Sequence, residues 1–399
     1  MRRPFGALSL VVAVAALVAL GTTPASADDP VFPTWAQVLA AKASASAKAA
    51  EVKKIQGIIG TLQAQAAAAG KIALQDGEVY LEAKDSLTSA TETANKLSAQ
   101  AKKAEVRAKK SQAQAGQLAA QLAREGHGNL SLDLFLNQHS SGSLLNVLGT
   151  MSKLGETSAR IFATAEQDHK TATALSKQAS VAKSIRSTKA SQAKSDLDTA
   201  NASSAAATAK VKAQTAQQSI LTSQLASLNG TSASTEAAYY AGVAWEAKQA
   251  AQKTPPPDGT PTGPVPGAPN GSAVSVAIAY AEAQLGHPYQ LGGAGPTYFD
   301  CSGLTLKAYQ AAGIYIGTHS STNQYNTLKS ENRLVPLSER QPGDLLWYSD
   351  GGSTTATKYH VTIYIGNGQM IEAPYPGVPV RVAALRFGDL VAFAGRPTG

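Results

Sequence analysis

The sequence predicts a multidomain chain: an N-terminal all-α antiparallel coiled-coil hairpin, then an α+β domain built on an antiparallel sheet. Three observations predict it. Twelve of the 13 tyrosines lie at or beyond Tyr239, whereas the long Ala/Ser/Lys/Gln stretches lie before it. A proline-dense segment from Lys253 to Gly271 separates the two halves. Beyond it, helical patterns come first and short alternating apolar segments follow. That order suits an α+β domain rather than alternating strand–helix units. A chain of 399 residues is also long enough for two or more units.

Residues 1–27 read as a signal peptide. Met1-Arg2-Arg3 is positive, Ala7 to Leu20 is an apolar run of 14 residues, and Ala25-Ser26-Ala27 is a small-residue cleavage site. The run is short for a membrane anchor, and no cysteine follows it for lipid attachment. The expectation is an exported, soluble protein. Its formal charge of +8 falls to +6, 33 basic against 27 acidic residues, once Arg2 and Arg3 are removed. From Ala273 onward eight basic residues balance eight acidic ones, so the excess lies before the linker. Such a surface favours anionic neighbours, phospholipid or wall polymers. Nucleic acid is excluded for an exported chain without basic–aromatic interleaving.

Residues 28–252 form the expected hairpin. Val52, Ile55, Ile59 and Leu62 step by 3, 4 and 3, a heptad seam that Ala66 and Ala69 continue. Gly57, Gly60, Gly70 and Gly77 each lower helix propensity by about 1 kcal/mol, so the helix is expected to be long but irregular. Gly126-His127-Gly128 breaks it. The apolar stretch with Leu132, Leu134, Phe135, Leu136, Leu144, Leu145, Val147 and Leu148 predicts a tip of short helices near 129–160. Helix resumes from about Met151 to Leu228, and Asn229-Gly230 stops it. An aromatic-bearing helix from Ser234 to Gln252 follows. Residues 253–271 are a semi-rigid linker of extended polyproline type.

Residues 272–399 are the expected α+β domain. A helix from Ala273 to Leu285 leads to a loop, then to a helix beginning at Cys301. Leu345 to Tyr348, His360 to Ile365, Gln369 to Ala373, Val378 to Val382 and Leu390 to Phe393 read as strands, with Gly366-Asn367-Gly368 as a hairpin turn.

Cys301 is the one cysteine in the chain, which rules out internal disulfides and leaves a free thiol to explain. At a helix start, exposed N–H groups and the helix dipole would stabilise its thiolate, the nucleophilic form. Ser302 could cap that helix and Gly303 could admit a substrate. The plain alternative is a small buried core residue. His360 opens one strand of a hairpin and Glu372 lies on the other, so they can meet across the turn as base and orienting carboxylate. This is a papain-like arrangement. His287 and His319 are rival bases. One cysteine with scattered histidines lacks metal-ligand spacing, so neither a metal nor any other cofactor is expected.

The chain from Ala273 resembles the NlpC-type cysteine peptidases, cell-wall endopeptidases with a papain-like fold. The residues that carry the resemblance are Gly286-His287-Pro288-Tyr289, Phe299-Asp300-Cys301-Ser302-Gly303-Leu304, Pro342-Gly343-Asp344-Leu345 and His360-Val361-Thr362-Ile363-Tyr364-Ile365-Gly366. It implies Cys301 as nucleophile, His360 as base, Glu372 as third member and Tyr289 near the oxyanion site. Asp300, Ser302 and Ser321 match substrate-pocket positions. Leu291 stands where the family often has Trp. The implied substrate is the peptidoglycan stem peptide, cut between γ-D-glutamate and the diamino acid. The hairpin looks like those of secreted divisome hydrolases, in which an apolar tip engages an FtsX-type membrane protein. A wall-binding adaptor without hydrolytic activity is the competing expectation.

Overall fold

The computed structural model describes residues 33–125, 141–234, 236–238 and 266–399. The expected signal peptide, the tip before residue 141, nearly all of the Ser234 to Gln252 helix and most of the linker lie outside these residues.

Among the described residues the hairpin holds three long or capped helices. Thr34 opens α1 (Trp35–Ala41) with a capping box, accepting from the Gln37 N–H while the Gln37 side chain takes the Thr34 N–H. α2 runs from Ala45 to Glu125 and α3 from Ser141 to Asn229. At 81 residues α2 is about 120 Å long. The heptad seam is buried as its spacing requires. Ile55, Ile59 and Leu62 pack with Val38 and Ala41 of α1 and with Leu221, Leu225 and Leu228 of α3. Far from that base, the Gln112 side chain meets His169 at 3.1 Å, so the two long helices run antiparallel. Away from the base the buried seam is mostly alanine: Ala94, Ala104, Ala108 and Ala115 on α2, Ala165, Ala179, Ala193, Ala200 and Ala207 on α3. Alanine lets the helices approach closely but removes little apolar area from water per turn. Two expectations are corrected. α2 is unbroken at its four glycines, and α3 is already helical at Ser141, so residues 142–150 belong to the long helix rather than to separate short ones.

The second domain holds α4 (Gly271–Glu282), α5 (Cys301–Ala311), α6 (Ser321–Ser330) and six strands: β1 (Leu334–Pro336), β2 (Leu345–Tyr348), β3 (His360–Gly366), β4 (Gln369–Glu372), β5 (Arg381–Ala384) and β6 (Leu390–Gly395). They form one antiparallel sheet in the order β1-β6-β2-β3-β4-β5. Trp347, Tyr309, Tyr325 and Phe299 fill its core with α5 and α6 against the sheet. Gly366, Asn367 and Gly368 all take positive φ, the backbone this tight turn demands. The Pro342-Gly343-Asp344 motif is structural, because buried Asp344 pairs with Arg396 at 2.9 Å and accepts the Gln341 N–H.

Two strand expectations shift. β5 begins at Arg381, later than Val378, which instead bridges Tyr375. β1 was not expected, since its three residues end in a proline.

Candidate active site

Cys301 opens α5, as its position before an apolar helical pattern predicts. The cap is Asp300, not Ser302: Asp300 Oδ1 accepts the Gly303 N–H at 2.7 Å, and its Oδ2 takes the Gly292 N–H at 2.7 Å. Ser302 lies inside the first turn, fully buried, and donates its hydroxyl to Asp300 at 3.2 Å. Gly303 serves packing rather than substrate entry. A Cβ there would overlap the Gly293 carbonyl and come within 2.8 Å of His319 Nε2.

Sheet register builds the other half. Ile363 faces Ile371, so Thr362 is opposite Glu372, and His360 is Glu372's diagonal neighbour on the same face. His360 Nε2 meets Glu372 Oε2 at 2.9 Å, with His360 1% and Glu372 0% exposed. A carboxylate only accepts, so Nε2 carries the proton and Nδ1 keeps its lone pair. Nδ1 is buried without a hydrogen-bond partner. The N–H groups of Ser302 and of Val361, the residue after His360, favour the Cys301 thiolate, so the thiol lies near the start of β3.

Burial weighs most on Cys301 and His360, and charged partners decide Glu372. Cys301 is 4% exposed, and burial followed by the charges of Asp300 and Glu78 push its thiol well above the usual range, against the two N–H groups. The lowered thiol expected from the helix N-terminus is therefore absent in this arrangement. Burial also lowers His360, against Glu372, while Arg386 and Arg381 lower it further. For Glu372, burial favours protonation, but Arg386 and His360 outweigh it and hold the carboxyl well below its ordinary value. Tyr289, partly buried against the same core, is close enough to feel Cys301, and desolvation leads its rise well above the phenol range. The rival bases are occupied elsewhere. His319 Nε2 meets Asp300 Oδ1 at 2.7 Å, and His287 Nδ1 faces the Gln284 carbonyl. The α6 cap is Ser320, which leaves Ser321, 0% exposed, with a buried hydroxyl that has no hydrogen-bond partner.

An element that sequence reasoning did not bring to this site also packs against it. Helix α2 lies against it through one face. Leu74 joins the core that contains Cys301. Glu78, 2% exposed, accepts from Ser320 Oγ at 2.7 Å, the Ser321 N–H at 3.1 Å and the Thr322 N–H at 2.8 Å. Lys71 bridges Asp350 and Asp389, both at 2.8 Å, and Asp85 takes the Thr318 hydroxyl. Gly70 and Gly77 sit at the closest approaches. A Cβ at Gly70 would lie 2.5 Å from the Tyr375 ring, and one at Gly77 2.9 Å from Leu291. The seven-residue glycine spacing was the available signal, since it puts both glycines on one helix face.

Residues 286–389 match the NlpC/P60 family. The chain carries a C-terminal NlpC/P60 domain. Over 153 residues the chain is 37% identical to the peptidoglycan endopeptidase RipA of Mycobacterium tuberculosis, covering 35% of this chain and 30% of that protein. It is 46% identical over 101 residues to a probable endopeptidase p60 of Listeria seeligeri, covering 25% and 18%. Among solved structures, the peptidoglycan hydrolase RipB of M. tuberculosis aligns at 34% identity, covering 32% of this chain and 66% of that one, with a TM-score of 0.28. The chain thus spans about a third of the length of the curated relatives it matches.

Proposed function

We propose that the NlpC/P60 domain is a thiol endopeptidase acting on peptidoglycan stem peptides, and that α2 holds it latent. The observation that carries this reading is the sole thiol on the first turn of α5, one residue from the N-terminal end of β3, where the His360–Glu372 pair leaves Nδ1 free. Cys301 Sγ attacks the amide carbonyl carbon and its proton passes to His360 Nδ1. The imidazolium returns that proton to the leaving amine, and water then hydrolyses the thioester. In this reading Tyr289 steadies the oxyanion, and Asp300, Ser302 and Ser321 line the substrate pocket. The names of the relatives support the substrate class, and the scissile bond proposed is γ-D-glutamyl to diamino acid.

The docking of Leu74 and Glu78 supports latency, because an approaching peptide needs the space α2 fills. The domain division at 27, 252 and 271 is part of this proposal: an exported, wall-associated protein whose hairpin regulates it, with a role in cell separation. We extend the same reading to the apolar tip from Leu132 to Leu148, as the handle through which an FtsX-type membrane protein would move the hairpin. Among the described residues no helix is long and apolar enough to cross a membrane.

The test is mass spectrometry of muropeptides after digestion of purified peptidoglycan by the full chain. New γ-D-glutamyl C-termini, absent with Cys301→Ala, are expected. Binding without product, even after α2 is displaced by Glu78→Lys, would favour the adaptor reading instead.

A further inference from the structure

Glu372 does more than hold one imidazole. Its carboxylate, fully buried, takes five donors. His360 Nε2 is 2.9 Å from Oε2. Arg381 gives Nε at 3.2 Å and Nη2 at 3.0 Å to Oε1. Arg386 gives Nη1 at 2.9 Å to Oε1 and Nη2 at 2.6 Å to Oε2. Arg381 is Glu372's cross-strand partner in the β4–β5 ladder, so the sheet register itself aims it. Arg386 also lies over the Tyr348 ring at 5.0 Å, and that ring lies 5.5 Å from His360. One negative charge is thus shared between two guanidinium groups before the histidine is counted. A lone carboxylate beside His360 would favour imidazolium, whereas two cations on that carboxylate oppose it.

We propose that Arg386, with Arg381, is a positioning residue of the thiol site: the pair fixes the Glu372 carboxylate and offsets its charge, so that His360 rests as an uncharged base with Nδ1 open. This rests on the thiol-endopeptidase reading above. The geometry distinguishes it from a simple His–carboxylate pair, in which the resting imidazole would tend to be charged and Nδ1 already protonated. The groups around His360 are accounted for element by element. They are Glu372 on β4, Arg381 on β5, Arg386 after it, Tyr348 on β2 and Cys301 on α5. From α2, Lys71 is held by Asp350 and Asp389 and lies over Tyr359. The lowered affinity of His360 for a proton, with both arginines among its causes, agrees with this arrangement.

The experiment is NMR titration of ring-labelled histidines in the full chain carrying Cys301→Ala, which removes the thiol from the titration. The His360 resonance is identified by its loss in His360→Asn. Arg386→Gln is expected to raise the His360 pKa by about one unit or more, Arg381→Gln by less, and Arg386→Lys to leave it nearer its original value. A His360 pKa unmoved in both glutamine variants, with circular dichroism unchanged, would make the arginines merely structural and overturn the proposal. If Arg386→Gln fails to fold, Arg381→Gln decides by the same criterion. No substrate enters the titration, so a shifted His360 in a chain that releases no muropeptides would fault the endopeptidase reading and leave the arginine pair's effect standing.

Discussion

Cys301 and Glu372 respond to the same environment in opposite ways. The thiol is buried beside carboxylates and held protonated, while Glu372 is buried among cations and held ionised. Glu372→Gln is therefore not a mild change. The amide offers one acceptor where five donors converge, and it leaves two guanidinium groups uncompensated in a buried site. We expect a stability loss of about 3 kcal/mol by denaturant unfolding, along with lost activity. Judged from sequence alone, the same substitution looks gentle because glutamine keeps an acceptor for His360. What sequence could not supply was the second side of the carboxylate. Nothing in the sequence ties Arg381 or Arg386 to Glu372, and only the β4–β5 register puts one of them opposite it. The pairing of His360 with Glu372 was legible, because a three-residue turn fixes which strand residues can meet. The Asp300 cap was not, since Ser302 and Asp300 are both good capping residues and only the start of the helix decides between them.

At the scale of elements, the contact of α2 with the α6 N-terminus is a titratable one. Burial leads the rise of the Glu78 carboxyl from 4.5 to about 7, the three hydrogen bonds to α6 work against it, and Glu82 one turn along adds to it. Cys301, Tyr289 and His319 also feel Glu78. The sign follows from linkage. A carboxyl whose docked value is raised binds its proton more tightly when docked, so its contribution to docking is full below about 4.5 and is lost as pH rises through about 7. Protection of the Ser321 and Thr322 amides, taken relative to their intrinsic exchange rates at each pH, should therefore fall between pH 5 and 8. Glu78→Gln should flatten that dependence, and a dependence unchanged in Glu78→Gln would refute the assignment to this residue. The hairpin base makes a second test. Leu225 is fully buried where the large apolar residues of the described hairpin cluster, so Leu225→Ala should cost about 3 kcal/mol. An alanine-seam change such as Ala108→Gly should cost about 1 kcal/mol, since it removes little more than helix propensity.

Over the whole molecule, the fold class and the order of its parts were legible because composition changes sharply at the linker. The contact between the two parts was not, because it runs through residues that a helical pattern treats as faults or as solvated charges. Gly70 and Gly77 weaken a helix in isolation, yet they are the places where another domain's Tyr375 and Leu291 come closest. Glu78 looks like one more exposed charge on an alanine-rich helix, and is 2% exposed only because α6 presents unpaired N–H groups to it. The same face identifies the change that should open the molecule. Gly70→Leu strengthens the helix intrinsically and cannot be accommodated against the Tyr375 ring, so it should release α2 without unfolding it. The measurement that tests the account most directly is the rate of muropeptide release by the full chain, compared among wild type, Gly70→Leu and Gly70→Leu with Cys301→Ala. The account predicts a rise of about tenfold or more in the first variant, the worth of roughly 1.4 kcal/mol of lost docking, and none at all in the second. A Gly70→Leu chain no faster than wild type, or a double variant that still cuts, would contradict it.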